Sequence, residues 1–250
     1  MMAVLRSVLH LLWMLLTVVP VALVLLSAAA LGVRGHGLYR LAVFWLRLAV
    51  QGAKSIMGIR YQIVGMEHLP AQDQACVLLV KHQSTYETFL MPVIMPKDLA
   101  YVFKRELLYV PFFGWAIGLL DMVHIDRSQK AQSFQKVVQQ GKALLEKGIW
   151  VIMFPEGTRI PRGQVGKYKS GGARLAIETG VSVVPIAVNS ATCWPRRAWL
   201  KRPGTVTVSI GPAIASQGRQ PDELMRQVQD WIEGEMRRID PMAYADSTSA

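Results

Sequence analysis

The chain is 250 residues long and carries 28 Lys and Arg against 17 Asp and Glu, a formal net charge of +11. With 52% hydrophobic and 18% charged residues it is too apolar for wholesale disorder. Two isolated cysteines, Cys76 and Cys193, exclude a disulfide framework and a Cys-x-x-Cys metal site. A chain of this length can bury a sizeable core in one domain. The basic excess is uneven. No Asp or Glu occurs from Met1 to Met66, where Arg6, Arg34, Arg40, Arg47, Lys54 and Arg60 all fall, and this stretch is also the most apolar.

The first expected element is an apolar helix over residues 8–33, within a run from Ser7 to Val33 that holds no formally charged residue. Such a helix is about 40 Å long, enough to cross a hydrocarbon layer of roughly 30 Å with tilt. Ser27-Ala28-Ala29-Ala30 resembles a signal-peptidase site. The run nevertheless outlasts the usual h-region of about 7–15 residues, and only Arg6 precedes it, which favours a retained anchor. A second helix is expected over residues 38–59. Its Arg40, Arg47 and Lys54 recur every seven residues and so form one stripe, with Gln51 beside it. Leu41, Val43, Phe44, Trp45, Leu46, Leu48, Val50, Ile56 and Met57 fill most of the remaining circumference. One reading has the bases snorkelling to headgroups while the apolar face sinks into lipid. The other packs that face on the protein's own core and leaves the bases in water. The absence of acids favours lipid. Residues 1–59 thus read as a membrane anchor, spanning or re-entrant. More bases follow the first run than precede it, which puts the main domain in the cytosol.

From residue 60 to 240 short β-branched or apolar runs alternate with helical patterns. Strands are expected at Tyr61–Val64, Cys76–Lys81, Leu99–Lys104, Met122–Ile125, Trp150–Phe154, Ser182–Val188 and Thr205–Ile210. Helices are expected at Thr85–Ile94, Lys130–Glu146, Gly172–Glu178 and Pro221–Ile239. This alternation implies an α/β domain whose mostly parallel sheet is flanked by helices. Residues 241–250 are expected to form a flexible tail.

In parallel sheets ligands bind beyond the carboxyl ends of the strands, and the polar clusters fall there. Lys81-His82-Gln83-Ser84-Thr85-Tyr86-Glu87 follows the second strand. Ser84 or Thr85 would cap the next helix. Glu87, in its first turn, can fold back onto one imidazole nitrogen of His82 and leave the other to take a proton. A His that merely caps a helix would satisfy the same spacing. Phe103-Lys104-Arg105-Glu106 follows the third strand and offers two bases for an anion. Phe154-Pro155-Glu156-Gly157-Thr158-Arg159 follows the fifth, and Arg162, Lys167, Lys169 and Arg174 come after it among several glycines, which suits a phosphate. Arg159 lies nearest a strand end, whereas Arg162 and Lys167 read as a solvated loop. Residues Trp194 to Arg202 interleave aromatics and bases, a pattern that fits nucleic acid or a bilayer interface.

His82-x-x-x-x-Glu87, Phe103-Lys104-Arg105-Glu106-Leu107 with Pro111-Phe112-Phe113-Gly114, Phe154-Pro155-Glu156-Gly157-Thr158-Arg159 and Val184-Pro185-Ile186 occur in this order. Together they resemble the four-block pattern of the glycerolipid acyltransferases, most of all their bacterial 1-acylglycerol-3-phosphate-acylating branch, over residues from about 60 to 215. The resemblance implies that His82 is a general base oriented by Glu87. It implies that Lys104, Arg105 and Arg159 hold the acceptor's phosphate, that Glu156, Gly157 and Thr158 shape its site, and that Pro185 lies on the acyl-chain side. It further implies transfer of an acyl chain from acyl-CoA or acyl carrier protein to the sn-2 hydroxyl of 1-acyl-glycerol-3-phosphate, giving phosphatidic acid. The donor thioester is a co-substrate, and no cofactor, metal or nucleic acid is expected. The location implied is the bacterial inner membrane. Position 87 departs from the pattern, which usually has Asp there, so the His82 contact needs another rotamer or helix start. Other readings are an acyltransferase for a different lyso-lipid, or a non-catalytic basic module binding lipid or nucleic acid.

Overall fold

The computed structural model describes residues 2–71, 73–126, 130–196 and 199–245. Two long helices come first, α1 (Met2–Ala30) and α2 (His36–Met57). The α1 helix starts earlier than expected and stops at a turn where Gly32 takes φ +92°, a conformation that favours glycine. It is long and apolar enough to cross a membrane. Leu12, Leu15, Leu16, Leu23 and Val24 are exposed along it.

The two helices pack on each other through named contacts. Trp13 Nε1 donates to the Leu48 carbonyl at 2.9 Å, and Trp45 Nε1 donates to Thr17 Oγ1 at 3.2 Å. Gly52 permits the approach, since a Cβ there would lie 2.4 Å from the Trp13 ring. On α2 the seven-residue spacing leaves Arg40, Arg47 and Lys54 exposed. Much of its apolar circumference is covered by protein: Val50, Ala53 and Met57 enter the core of the sheet, and Leu38 packs with Leu25 and Ala29 of α1. The second helix is therefore continuous with the globular core, and Phe44 stays exposed beside the bases.

The strands are β1 (Ile59–Val64), β2 (Cys76–Val80), β3 (Leu99–Lys104), β4 (Val123–Ile125), β5 (Trp150–Met153), β6 (Ser182–Val188) and β7 (Gly204–Ile210). They form one sheet in the order β1-β7-β6-β2-β5-β3-β4. All neighbours run parallel except β6 and β7. The remaining helices are α3 (Tyr86–Ile94), α4 (Phe113–Ile117), α5 (Lys130–Glu146), α6 (Gly171–Thr179), α7 (Pro221–Ile239) and α8 (Pro241–Tyr244).

The fully buried β2 shows why a continuous apolar run suits a central parallel strand. Side chains alternate across the sheet, so Cys76, Leu78 and Val80 join the core under α2 and α3. Val77 and Leu79 join the core under α5, α6 and α7. Each such aliphatic side chain contributes roughly 1.5–3 kcal/mol when fully buried. Both faces therefore hold β2 in register, and its carboxyl end becomes a fixed platform.

Two terminal features complete the frame. In the segment expected as a tail, residues 241–244 form α8 and Tyr244 is buried, because its ring joins the α7 side of the core; residues 246–250 lie outside the described part. In the aromatic and basic tract, Arg197 and Ala198 also lie outside it. Trp194 is turned inward, 5.3 Å from the His10 ring of α1 and 6.1 Å from Tyr86 of α3, with Lys201 Nζ 4.5 Å over its face. The Lys201 N–H donates to Ser7 Oγ at 3.2 Å. This half of the tract docks α1 onto the domain.

Candidate active site

The site is built where β2 and β5, neighbours in the sheet, both end. Lys81 still follows the strand, its N–H bonded to the Ile186 carbonyl at 2.9 Å. His82 leaves it, and the chain turns through Gln83-Ser84-Thr85 into α3. Thr85 occupies the capping position without a side-chain cap bond; Ser84 Oγ instead accepts the Tyr86 N–H at 3.0 Å.

Glu87, fully buried in the first turn of α3, reaches back over that turn. Its Oε1 accepts the N–H groups of Gln83 at 2.7 Å and Ser84 at 2.6 Å, and it lies 2.9 Å from His82 Nδ1. Its Oε2 accepts the Ser190 hydroxyl at 2.6 Å. An ionised carboxylate offers only acceptors, so Nδ1 carries the imidazole proton and Nε2 presents its lone pair. The extra methylene of Glu lets the carboxylate bridge the turn and the ring together. The His82 ring is stacked on Phe154, centroids 3.9 Å apart at 17°, and 15% of its side chain is exposed. Phe154 closes one face of the ring, and the carboxylate fixes its rotation. What remains is an imidazole nitrogen with a free lone pair, held at one edge of a partly open site and suited to take a proton.

The Phe154–Arg159 turn arrives from β5. Gly157 takes φ +66°, a conformation that favours glycine, with the flexible end of Lys169 beside it. Glu156 points inward, not toward solvent. Its Oε2 accepts the His82 N–H at 2.7 Å and its Oε1 pairs with the buried Lys81 at 2.7 Å. Burial pushes its carboxyl up to about 7, against the opposing pull of Lys81. Arg159 is half-buried and donates to Thr85 Oγ1 at 2.8 Å, which ties a guanidinium to the helix that carries Glu87. Thr158 is exposed on the turn.

The other expected residues are spread more widely. Lys104 and Arg105 stand exposed at the end of β3, next to β5, with Lys104 loosely paired to Glu106 at 3.7 Å. They share the carboxyl edge of the sheet with His82 but no contact joins them to it among the described residues. Pro185 is buried inside β6, opposite Leu79. Its missing N–H is tolerated because the β7 ladder begins only at Ile186. The loop base Arg162 is held by Asp240 through bonds of 2.7 and 2.6 Å, so it braces the loop. The sequence places Lys81 at the head of the first polar cluster without giving it a role, and Ser190 and Glu233 were not expected at the site. A legible signal for Glu233 was a carboxylate among the apolar Val228, Ile232 and Met236 of α7.

An acyltransferase family model matches residues 60–189. The chain is 46% identical over 201 residues to the 1-acyl-sn-glycerol-3-phosphate acyltransferase of Pseudomonas aeruginosa, covering 79% of this chain and 77% of that one. It is 29% identical over 204 residues to the mouse 1-acyl-sn-glycerol-3-phosphate acyltransferase alpha, covering 81% and 70%. The fold matches the crystal structure of the 1-acyl-sn-glycerophosphate acyltransferase of Thermotoga maritima with a TM-score of 0.67, at 22% identity, over 94% of this chain and 97% of that one. The matched residues include His82, Glu87, Glu156 and Arg159, and the chain belongs to the acyltransferase family.

Proposed function

We propose that the protein transfers an acyl chain from a thioester to the sn-2 hydroxyl of 1-acyl-glycerol-3-phosphate, making phosphatidic acid. The observation that carries the mechanism is the 2.9 Å contact between His82 Nδ1 and Glu87 Oε1, within a carboxylate that also takes two backbone N–H groups and a hydroxyl. The acceptor hydroxyl gives its proton to His82 Nε2 as its oxygen attacks the thioester carbonyl. The tetrahedral intermediate collapses, the C–S bond breaks, and the thiolate recovers the proton from the imidazolium. Glu87 stabilises that imidazolium without taking the proton itself. A covalent acyl-enzyme is unnecessary, and neither cysteine suits one: both are buried, which pushes their thiols up. As written, the reaction needs no cofactor beyond its co-substrate, acyl-CoA or acyl carrier protein.

Arg159, with Lys104 or Arg105, binds the phosphate of the acceptor, and the Glu156-Gly157-Thr158 turn shapes that site. Pro185 lies on the acyl-chain side. The exposed apolar face of α1 and the bases on α2 seat the protein in the inner membrane of a bacterium with the catalytic domain facing the cytosol. The test is thiol release by purified protein with lysophosphatidic acid and each thioester donor. His82→Ala should lower turnover by about 10²–10⁴-fold, and undiminished turnover would remove His82 as the base. Arg159→Ala should mainly raise the KM for the phosphorylated acceptor. Preference for a lyso-lipid without a terminal phosphate would replace the acceptor proposed here.

A further inference from the structure

At the backbone of His82 lies a second buried charge cluster that the proposed acyl transfer does not use. The ammonium of Lys81 is fully buried, 2.7 Å from Glu156 Oε1 and 2.7 Å from Glu233 Oε1. It also donates to the Gln164 carbonyl at 3.3 Å. The Tyr168 hydroxyl donates to Glu233 Oε1 at 2.8 Å. Glu156 Oε2 in turn accepts the His82 N–H at 2.7 Å. A continuous chain of contacts thus runs from α7 through Glu233, Lys81 and Glu156 to the backbone of His82.

Stability alone does not explain this arrangement. Desolvating three charges is costly, and well-packed apolar residues in place of a buried ion pair are often as stable or more so. Two carboxylates on one ammonium also leave a net negative charge beside the site when all three are ionised. Glu233 comes from a helix beyond residue 189, where the family match ends. We propose that Glu233 is a positioning residue of the acyl-transfer site, acting through Lys81 and Glu156 to hold the backbone of His82 and to set the charge behind it. This rests on His82 being the general base.

The cluster has a titratable member. The groups facing Glu156 are Lys81 and the His82 N–H at the end of β2, Glu233 from α7, Tyr168 from the segment before α6, and Tyr244 from α8. Burial pushes Glu156 up to about 7; Lys81 and the His82 N–H oppose this, and the charge of Glu233 adds to it. Tyr168 and Tyr244 are themselves pushed up by burial and stay neutral over this range. When Glu156 takes a proton, the charge-assisted bond to the His82 N–H is lost. Removing Glu233 should therefore move the acid limb of activity one way, and removing Lys81 the other.

The experiment measures kcat, KM and their pH dependence for the purified full-length protein and its Glu233→Gln, Lys81→Gln, Lys81→Arg and His82→Ala variants. Glu233→Gln should lower kcat about tenfold through a misplaced base, leave the acceptor KM within about twofold, and shift the acid limb of kcat/KM to lower pH. Lys81→Gln should shift that limb to higher pH, and Lys81→Arg should bring it back toward the wild-type position. A Glu233→Gln profile that superimposes on wild type, or Gln variants at both positions shifting the same way, would overturn the proposal. Should Lys81→Gln fail to fold, the Glu233→Gln profile decides alone. An active His82→Ala would instead overturn the assignment of the base, a distinct outcome.

Discussion

Two buried glutamates reach His82, one at its ring and one at its backbone, and they are held by different chemistry. Among the described residues, the hydrogen-bond donors to Glu87 carry no formal charge: two backbone N–H groups, a hydroxyl and the imidazole N–H. Glu156 has one backbone N–H and shares a lysine with Glu233. A carboxylate that must meet an imidazolium formed during each turnover is best kept free of competing cations. A carboxylate that holds a backbone can be neutralised by a permanent one. In the proposed mechanism the first arrangement serves the chemical step, and in the further inference the second serves the geometry on which that step depends.

Changes on the two sides should therefore fail differently. The largest effect is expected for Glu87→Gln, whose amide oxygen can take the place of Oε1 but carries no charge to stabilise the imidazolium. Its kcat should fall about 10³–10⁴-fold with the fold intact, measured by thiol release alongside circular dichroism. A loss under tenfold would break the distinction drawn here. On the other side, smaller losses of kcat should come with a change in stability. Glu156 is raised from 4.5 to about 7, so the stability it contributes is present below about pH 4.5 and lost as pH rises through about 7. That loss is on the order of 3 kcal/mol. Glu156→Gln should remove it, seen as a flatter dependence of denaturation midpoint on pH than in wild type. Smallest is Ser190→Ala, which deletes one of the four bonds to Glu87. Turnover should drop about tenfold with an unchanged acceptor KM, as suits the loss of one hydrogen bond to a buried charge.

Much of this was legible before any coordinates. Each expected strand is present to within two residues at either end, because central parallel strands read as unbroken apolar runs bounded by polar turns. The His82 and Glu87 spacing could be read as a pair because both partners sit within one turn of each other. The bases of α2 could be placed on one stripe for the same local reason. Its covering could not: whether Val50, Ala53 and Met57 meet lipid or protein depends on β-sheet residues far along the chain. The three exposed bases restrict which face is wet, and leave the partner of the other face undecided. Lys104 and Arg105 show the converse limit, since a strand end places the backbone and not a long side chain.

Sequence alone determined the alternation of strands and helices and the carboxyl-edge location of the polar blocks, and it offered the pairing of His82 with Glu87 as one of two readings of their spacing. All of these follow from periodicities and spacings within a few residues. Only the tertiary structure decided which distant groups complete the site: Ser190, 103 residues from Glu87, and Glu233, 152 residues from Lys81. Such partners leave little local signature, because a buried polar group declares itself only once the surrounding fold has removed its water.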